Sequence, residues 1–151
     1  MVRPALLFTT LLLFASVASA QEQSRTFRVQ FLSVNGMILL DAAVNGKPAV
    51  LLLDTGADNS IVSPSVAGVT AKLDALKPEN TTGASGDYTK AKIDLRLEKR
   101  RWIERPILVM DLSEASKHLG TRIDGFVGQD LLREFSSVKI DYAAKVVEFQ
   151  K

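Results

Sequence analysis

The residues best suited to chemistry lie together at Leu51-Leu52-Leu53-Asp54-Thr55-Gly56-Ala57-Asp58-Asn59-Ser60-Ile61-Val62, where a carboxylate closes an apolar run. An ionised Asp at the end of a buried strand is costly unless it is hydrogen-bonded or shared. Thr55 can bond backbone or a facing hydroxyl, and Gly56 permits an approach that a side chain would block. Alone, Asp-Thr-Gly is a set of ordinary turn residues and a weak signal. Its context is more specific, because an apolar strand leads in, a second leads out, and Phe126-Val127-Gly128 follows about seventy residues later.

Other chemistries are removed by composition. The chain has no cysteine and one histidine, which excludes thiol nucleophiles, thiolate zinc sites, disulfide scaffolds and any metal site built on two histidines. A Ser-His-Asp triad would have to use His118, which sits in Glu114 to Gly120, a segment reading as a short helix ended by glycine. Gly83-Ala84-Ser85-Gly86-Asp87 lacks the spacing of a serine-nucleophile elbow and reads as a loop tip. No metal and no organic cofactor is expected.

The elements that must position Asp54 are short apolar runs broken by turn signals, the pattern of a mostly β domain. Thr26 to Val34 alternates apolar and polar residues, and Met37 to Val44 and Ala49 to Leu53 flank Asn45-Gly46-Lys47-Pro48, a strong hairpin signal. Further strands are expected at Asn59 to Ser63, Ala91 to Leu97, Ile107 to Met110 after Pro106, Val138 to Asp141 and Val146 to Gln150. Pro64 is expected to start a helical turn reaching Gly68, and Gln129 to Phe135 to form a helix. Leu51, Leu53, Ile61, Phe126, Val127, Leu131, Ile140 and Val147 are the expected core.

Residues 1–20 are set aside from the fold. Arg3, an apolar stretch from Ala5 to Val17 and the triplet Ala18-Ser19-Ala20 have the layout of a secretory signal peptide, with cleavage expected before Gln21. The apolar stretch falls short of the roughly 20 residues that cross a bilayer. Export to the periplasm or medium is therefore expected, with no stable membrane insertion afterwards and residues 21–151 forming one domain. The whole chain carries 19 Lys and Arg against 17 Asp and Glu, and losing Arg3 brings it closer still to neutrality, so no nucleic-acid partner is implied. Glu98-Lys99-Arg100-Arg101 beside Trp102 reads as a solvated hairpin turn in preference to an anionic-ligand patch.

Taken together, Leu52-Leu53-Asp54-Thr55-Gly56-Ala57-Asp58 and Ile123-Asp124-Gly125-Phe126-Val127-Gly128-Gln129-Asp130-Leu131-Leu132, with the closing Val138 to Tyr142 and Val146 to Phe149, resemble the retropepsin-like aspartic proteases of the exported bacterial single-domain type. The resemblance covers about Thr26 to Phe149. It implies a single-domain closed β-barrel with one short C-terminal helix, active as a homodimer. It implies that Asp54 is catalytic within Asp54-Thr55-Gly56, that Thr55 interlocks with its counterpart across the dimer, and that Phe126-Val127-Gly128 passes behind the catalytic loop. Peptide or protein substrate would meet Ala57, Asp58, Phe126, Val127 and a flap at Gly83, Ala84, Ser85 and Gly86. Retroviral members carry Arg where this chain has Gln129, and that Arg pairs with the acid matching Asp58.

Aspartic proteolysis uses two carboxylates sharing one proton, one activating water and the other protonating the scissile carbonyl oxygen. The chain offers one Asp-Thr-Gly, and Asp87 and Asp124 lack its flanking strands, so the second carboxylate would be Asp54 of a two-fold related copy. The expected activity is that of an aspartic endopeptidase. Two other readings stand beside it: a catalytically silent β domain binding a peptide or protein in the same cleft, and a structural β domain in which Asp54 is only a turn residue.

Overall fold

The computed structural model describes residues 26–68 and 88–151. The expected signal segment and the expected flap at Gly83, Ala84, Ser85 and Gly86 lie outside the described residues. Nine strands and three short helices follow one another: β1 (Thr26–Val34), β2 (Met37–Val44), β3 (Lys47–Leu53), β4 (Ile61–Val62), α1 (Pro64–Ala67), β5 (Tyr88–Leu97), β6 (Arg100–Met110), α2 (Ser113–Leu119), β7 (Gly125–Val127), α3 (Gln129–Leu132), β8 (Ser137–Asp141) and β9 (Val146–Gln150).

Two Asn-Gly turns set the first three strands in register. Asn35 and Gly36 have φ of 51° and 79°, and Asn45 and Gly46 have 49° and 79°. Both central residues thus occupy the left-handed region that a two-residue hairpin turn requires. Asn45 also accepts Asp94 N–H on Oδ1 and donates from Nδ2 to Ala67 O, both at 2.8 Å, so the same turn fastens β5 and α1 to the hairpin.

The hydrogen-bonded order β3-β7-β4-β6-β5-β2 closes through the pairing of β2 with β3 into a six-stranded barrel. Two of its contacts are parallel, β3 with β7 and β4 with β6. The first half of β1 leaves the barrel to pair with β9, which pairs in turn with β8. Val29, Leu40, Leu51, Ile93, Leu97, Ile107, Leu131 and Phe149 fill the interior, each essentially without solvent contact. Of the expected core, Ile61, Phe126 and Ile140 are only half-buried. Ile61 and Phe126 point away from the barrel interior, and Ile140 lies on the outermost strand.

Several boundaries differ from expectation for identifiable reasons. β4 keeps only two residues, because Ser60 N–H is taken by the Asp130 carboxylate and so leaves the ladder. β6 starts at Arg100 and runs through Pro106, which pairs opposite Lys92 just beyond an irregularity between Ile93 and Leu95. The resemblance implied one short C-terminal helix, whereas the described residues hold three, the other two lying at the expected Pro64 turn and in the expected glycine-ended segment before Gly120. The last, α3, stops at Leu132, and Glu134 and Phe135 make tighter bonds to the residues three before them. Trp102 is buried, donating Nε1–H to Glu134 at 3.0 Å under the guanidinium of Arg100. It therefore offers no face to an anionic ligand.

Candidate active site

Alternation along β3 buries Leu51 and Leu53 and turns Leu52 the other way. Asp54, two residues beyond Leu52, continues on the side Leu52 faces. The strand hands over to a loop at Asp54, whose N–H donates to Val127 O at 3.0 Å and so prolongs the β3–β7 ladder by one bond. The Asp54 carboxylate is half-exposed, and its Oδ1 accepts Gly56 N–H at 2.9 Å. That bond folds the side chain over its own turn. Thr55, Gly56 and Asp58 are exposed, and Ala57 is half-buried.

The loop is fastened from behind by the segment after β7. Ala57 O accepts Gln129 N–H at 2.8 Å, and Asp58 O accepts Asp130 N–H at 3.1 Å. Thr55 O accepts the Gln129 side-chain N–H at 2.7 Å. Ser60, 1% exposed, donates its hydroxyl to Asp130 Oδ1 at 2.6 Å and accepts Gly128 N–H at 2.9 Å. Asp130 Oδ1 also accepts Ser60 N–H at 2.8 Å. The carbonyls of Thr55, Ala57 and Asp58 and the side chain of Ser60 are thus all tied to one strand–helix junction, which holds the loop in place.

Two glycines make this approach feasible. A Cβ on Gly125 would sit 2.5 Å from Ile61 O, and one on Gly128 would sit 2.7 Å from the Asn59 carbonyl carbon and oxygen. Both obstacles are backbone, so a side chain at either position would push β4 or the Asp54 loop outward.

Phe126-Val127-Gly128 does run behind the loop, as the resemblance implied. The Val127 side chain belongs to the core at 1% exposure, and it is Phe126 that faces outward. Leu52, Phe126 and Ile61 are adjacent in register across β3, β7 and β4, forming a half-exposed apolar row on the Asp54 side. Asp124 is a structural clip: it is 4% exposed, with Oδ1 held by Arg122 at 2.9 Å and Oδ2 accepting Val50 N–H at 2.9 Å. Ser60 and Asp130 escaped the sequence reading, and their signal is slight, a small hydroxyl and an acid each a few residues from a recognised motif. Gln129 was noted only as a departure. Its amide reaches the Thr55 carbonyl, so it holds the loop from within one chain without a charge. Among the described residues no cluster of His, Asp or Glu is arranged to hold a metal ion.

A closed six-stranded barrel presents one clamped Asp-Thr-Gly loop at the end of β3. Residues 40–131, more than half of the chain, match the aspartyl protease family, and the chain belongs to that family. Among solved structures it is similar to a retropepsin-like aspartic protease from Rickettsia conorii, with 17% identity, a TM-score of 0.54, and coverage of 82% of this chain and 89% of that one. The retroviral protease-like domain of Ddi1 from Leishmania major also aligns, with 18% identity, a TM-score of 0.45, and 71% and 82% of the two chains covered. No protein of curated function matches the sequence significantly.

Proposed function

We propose that this protein is an aspartic endopeptidase acting as a homodimer, with the two copies of Asp54 sharing one proton at a single active site on the two-fold axis. The observation that carries the reading is the clamped loop. A half-exposed carboxylate is fixed by Gly56 N–H on a turn whose backbone is tied at Thr55, Ala57 and Asp58 to the segment behind it.

In the reaction, the ionised carboxylate removes a proton from water as the oxygen attacks the scissile carbonyl carbon. The protonated carboxylate gives its proton to the carbonyl oxygen. Collapse of the tetrahedral diol returns one of its hydroxyl protons to the ionised carboxylate, while the carboxylate that took a proton from water gives that proton to the leaving amine nitrogen, so the C–N bond breaks and the pair is again singly protonated. Asp54, Thr55 and Gly56 form the catalytic loop. Ala57 and Asp58 lie where an extended substrate backbone would pass, with Gly83, Ala84, Ser85 and Gly86 covering it as a flap. The row Leu52, Phe126 and Ile61 offers apolar surface to side chains beside the scissile bond. Removal of residues 1–20 on export belongs to the same proposal.

A diverse peptide library incubated with the protein and with Asp54→Asn tests the reading. Cleavage by the first and none by the second, with both chains folded, is the expected result. Absence of cleavage by the unaltered protein across the library and across acidic to neutral pH overturns it.

A further inference from the structure

Strand β6 departs from plain alternation once. Leu95 on β5 pairs with Trp102 and Ile93 with Arg105, so Asp94 alone stands opposite both Ile103 and Glu104. Glu104 takes a φ of 47°, and its N–H donates to Asp94 Oδ1 at 2.8 Å. The extra residue is a β-bulge, which re-aims the side chains beyond it. Trp102 and Arg105, an odd number of residues apart, would face opposite ways on a regular strand. Here both meet the Glu134 carboxylate. Trp102 Nε1–H donates to Oε2 at 3.0 Å, Arg100 Nη2 donates to the same oxygen at 2.8 Å, and Arg105 Nη1 lies 3.2 Å from Oε1.

The other arm of the Arg105 guanidinium donates from Nη2 to the Asp130 carbonyl at 3.0 Å. That carbonyl is left over where α3 ends. Arg133 N–H bonds to Gln129 O, but Glu134 N–H bonds to Leu131 O, so the tightening of the last turn passes over Asp130 O. A carbonyl orphaned at a helix end needs a partner from elsewhere, and Arg105 supplies it. The other groups of Asp130 face the Asp54 loop: its N–H donates to Asp58 O at 3.1 Å, and its Oδ1 accepts the Ser60 N–H and hydroxyl. Asp130 is therefore gripped from two sides, by β6 through Arg105 and by the loop.

We propose that Arg105 and Glu134 are positioning residues for the peptidase reaction, fixing through Asp130 the place of the loop that carries Asp54. The proposal rests on the peptidase reading above and adds what sets the position of its carboxylate. A planar guanidinium fork can hold a carboxylate and a carbonyl of one element at the same time, which a single ammonium group cannot. Glu134 in turn is fixed by Arg100 and Trp102, so the fork is aimed before any substrate arrives. Without Arg105 the Asp130 carbonyl loses its partner and α3 is free to shift on the barrel. Asp58 and Ser60 are bonded to Asp130 and shift with it, and the Asp54 turn between β3 and Asp58 follows. A misplacement of about 1 Å at a reacting group can cost up to roughly a hundredfold in rate, so a fraction of that distance is enough to be read.

The test combines peptide-cleavage kinetics with amide hydrogen exchange on the full chain, comparing Arg105→Met, Arg105→Lys and Glu134→Gln with the unaltered protein. Val147→Ala, which weakens the buried core and makes no bond to this network, is the control for lost stability alone. All assays run where circular dichroism shows every variant folded. Arg105→Met should lower kcat about tenfold with KM within about twofold, and Arg105→Lys and Glu134→Gln should lower it only about threefold. The Gln129 and Asp130 amides, which donate to Ala57 O and Asp58 O, should exchange about tenfold faster in Arg105→Met, while amides of the β2–β3 ladder change less. In Val147→Ala the ladder amides should quicken and kcat should hold. Should Arg105→Met not fold, Arg105→Lys and Glu134→Gln read the same two quantities. Unchanged kcat in the Arg105 and Glu134 variants, or a loss that Val147→Ala reproduces, overturns the proposal while leaving the peptidase reading in place. If no chain cleaves any peptide but the Gln129 and Asp130 amides quicken selectively, the clamp on the loop stands and the peptidase reading fails.

Discussion

Replacing Ser60 by Ala should be among the most destabilising single-atom deletions in the protein, because that hydroxyl serves two partners at once. Its donation to Asp130 Oδ1 at 2.6 Å is a bond to a charged acceptor, a class that contributes about 1.5 to 3 kcal/mol. Its acceptance of Gly128 N–H lies in a buried position, and losing it strands that donor at a cost of about 1 to 3 kcal/mol. Asp130 still receives Ser60 N–H, and alanine is slightly easier to bury, so the two losses should not add fully. A net loss near 3 kcal/mol corresponds to a fall in melting temperature of roughly 10 °C for a domain of this size. Asp130→Asn keeps the acceptor oxygen and loses only the charge, and should cost roughly half as much. Scanning calorimetry of the three proteins at neutral pH measures this. A fall of less than about 2 °C for Ser60→Ala would refute the reasoning that this hydroxyl joins the Asp54 loop to α3.

Gly128→Ala should destabilise by about 1 to 3 kcal/mol, because its new Cβ meets the Asn59 and Ala57 backbone and nothing flexible, and urea unfolding will read it. Leu131→Ala removes a fully buried side chain and should cost about 2 to 5 kcal/mol in the same assay. Asp111 is held below the usual carboxylate range, first by the Ser113 hydroxyl and then by the Ser113 N–H. A depressed folded value means that this contribution is present above the unfolded carboxylate range and disappears as pH falls through the folded one. In Ser113→Ala the Asp111 titration, followed by NMR, should move up toward the ordinary value, and an unmoved midpoint would contradict the assignment of its cause.

The β scaffold was legible because its determinants are local. β1 and β2 have the expected limits, since Asn35-Gly36 and Asn45-Gly46 fix both turns and the alternation of Val29 and Phe31 fixes the buried face. The Asp54 loop was legible because one apolar run leads into Asp-Thr-Gly and a second leads out of it, and these become β3 and β4. What escaped was set by contacts distant in sequence. Nothing local to Ser60 says that its N–H leaves the β4 ladder for a carboxylate seventy residues on. Nothing local to Arg100 says that its strand continues through Pro106. Gln129 read as a missing charge, and only the folded chain brings its amide to the Thr55 carbonyl. The outward turn of Phe126 follows from the β3–β7–β4 register, which no run of neighbouring residues encodes.

The central claim is that one active site takes one Asp54 from each of two chains, and subunit mixing tests it most directly. Unaltered protein at fixed concentration, above its dimer Kd, is titrated with Asp54→Asn chains and peptide cleavage is followed after exchange. The account predicts that homogeneous Asp54→Asn is folded and inactive. It also predicts that excess variant abolishes activity, because a mixed dimer holds one carboxylate and cannot both activate water and protonate the carbonyl oxygen. Activity that stays proportional to the amount of unaltered chain, or that persists in homogeneous Asp54→Asn, would contradict it.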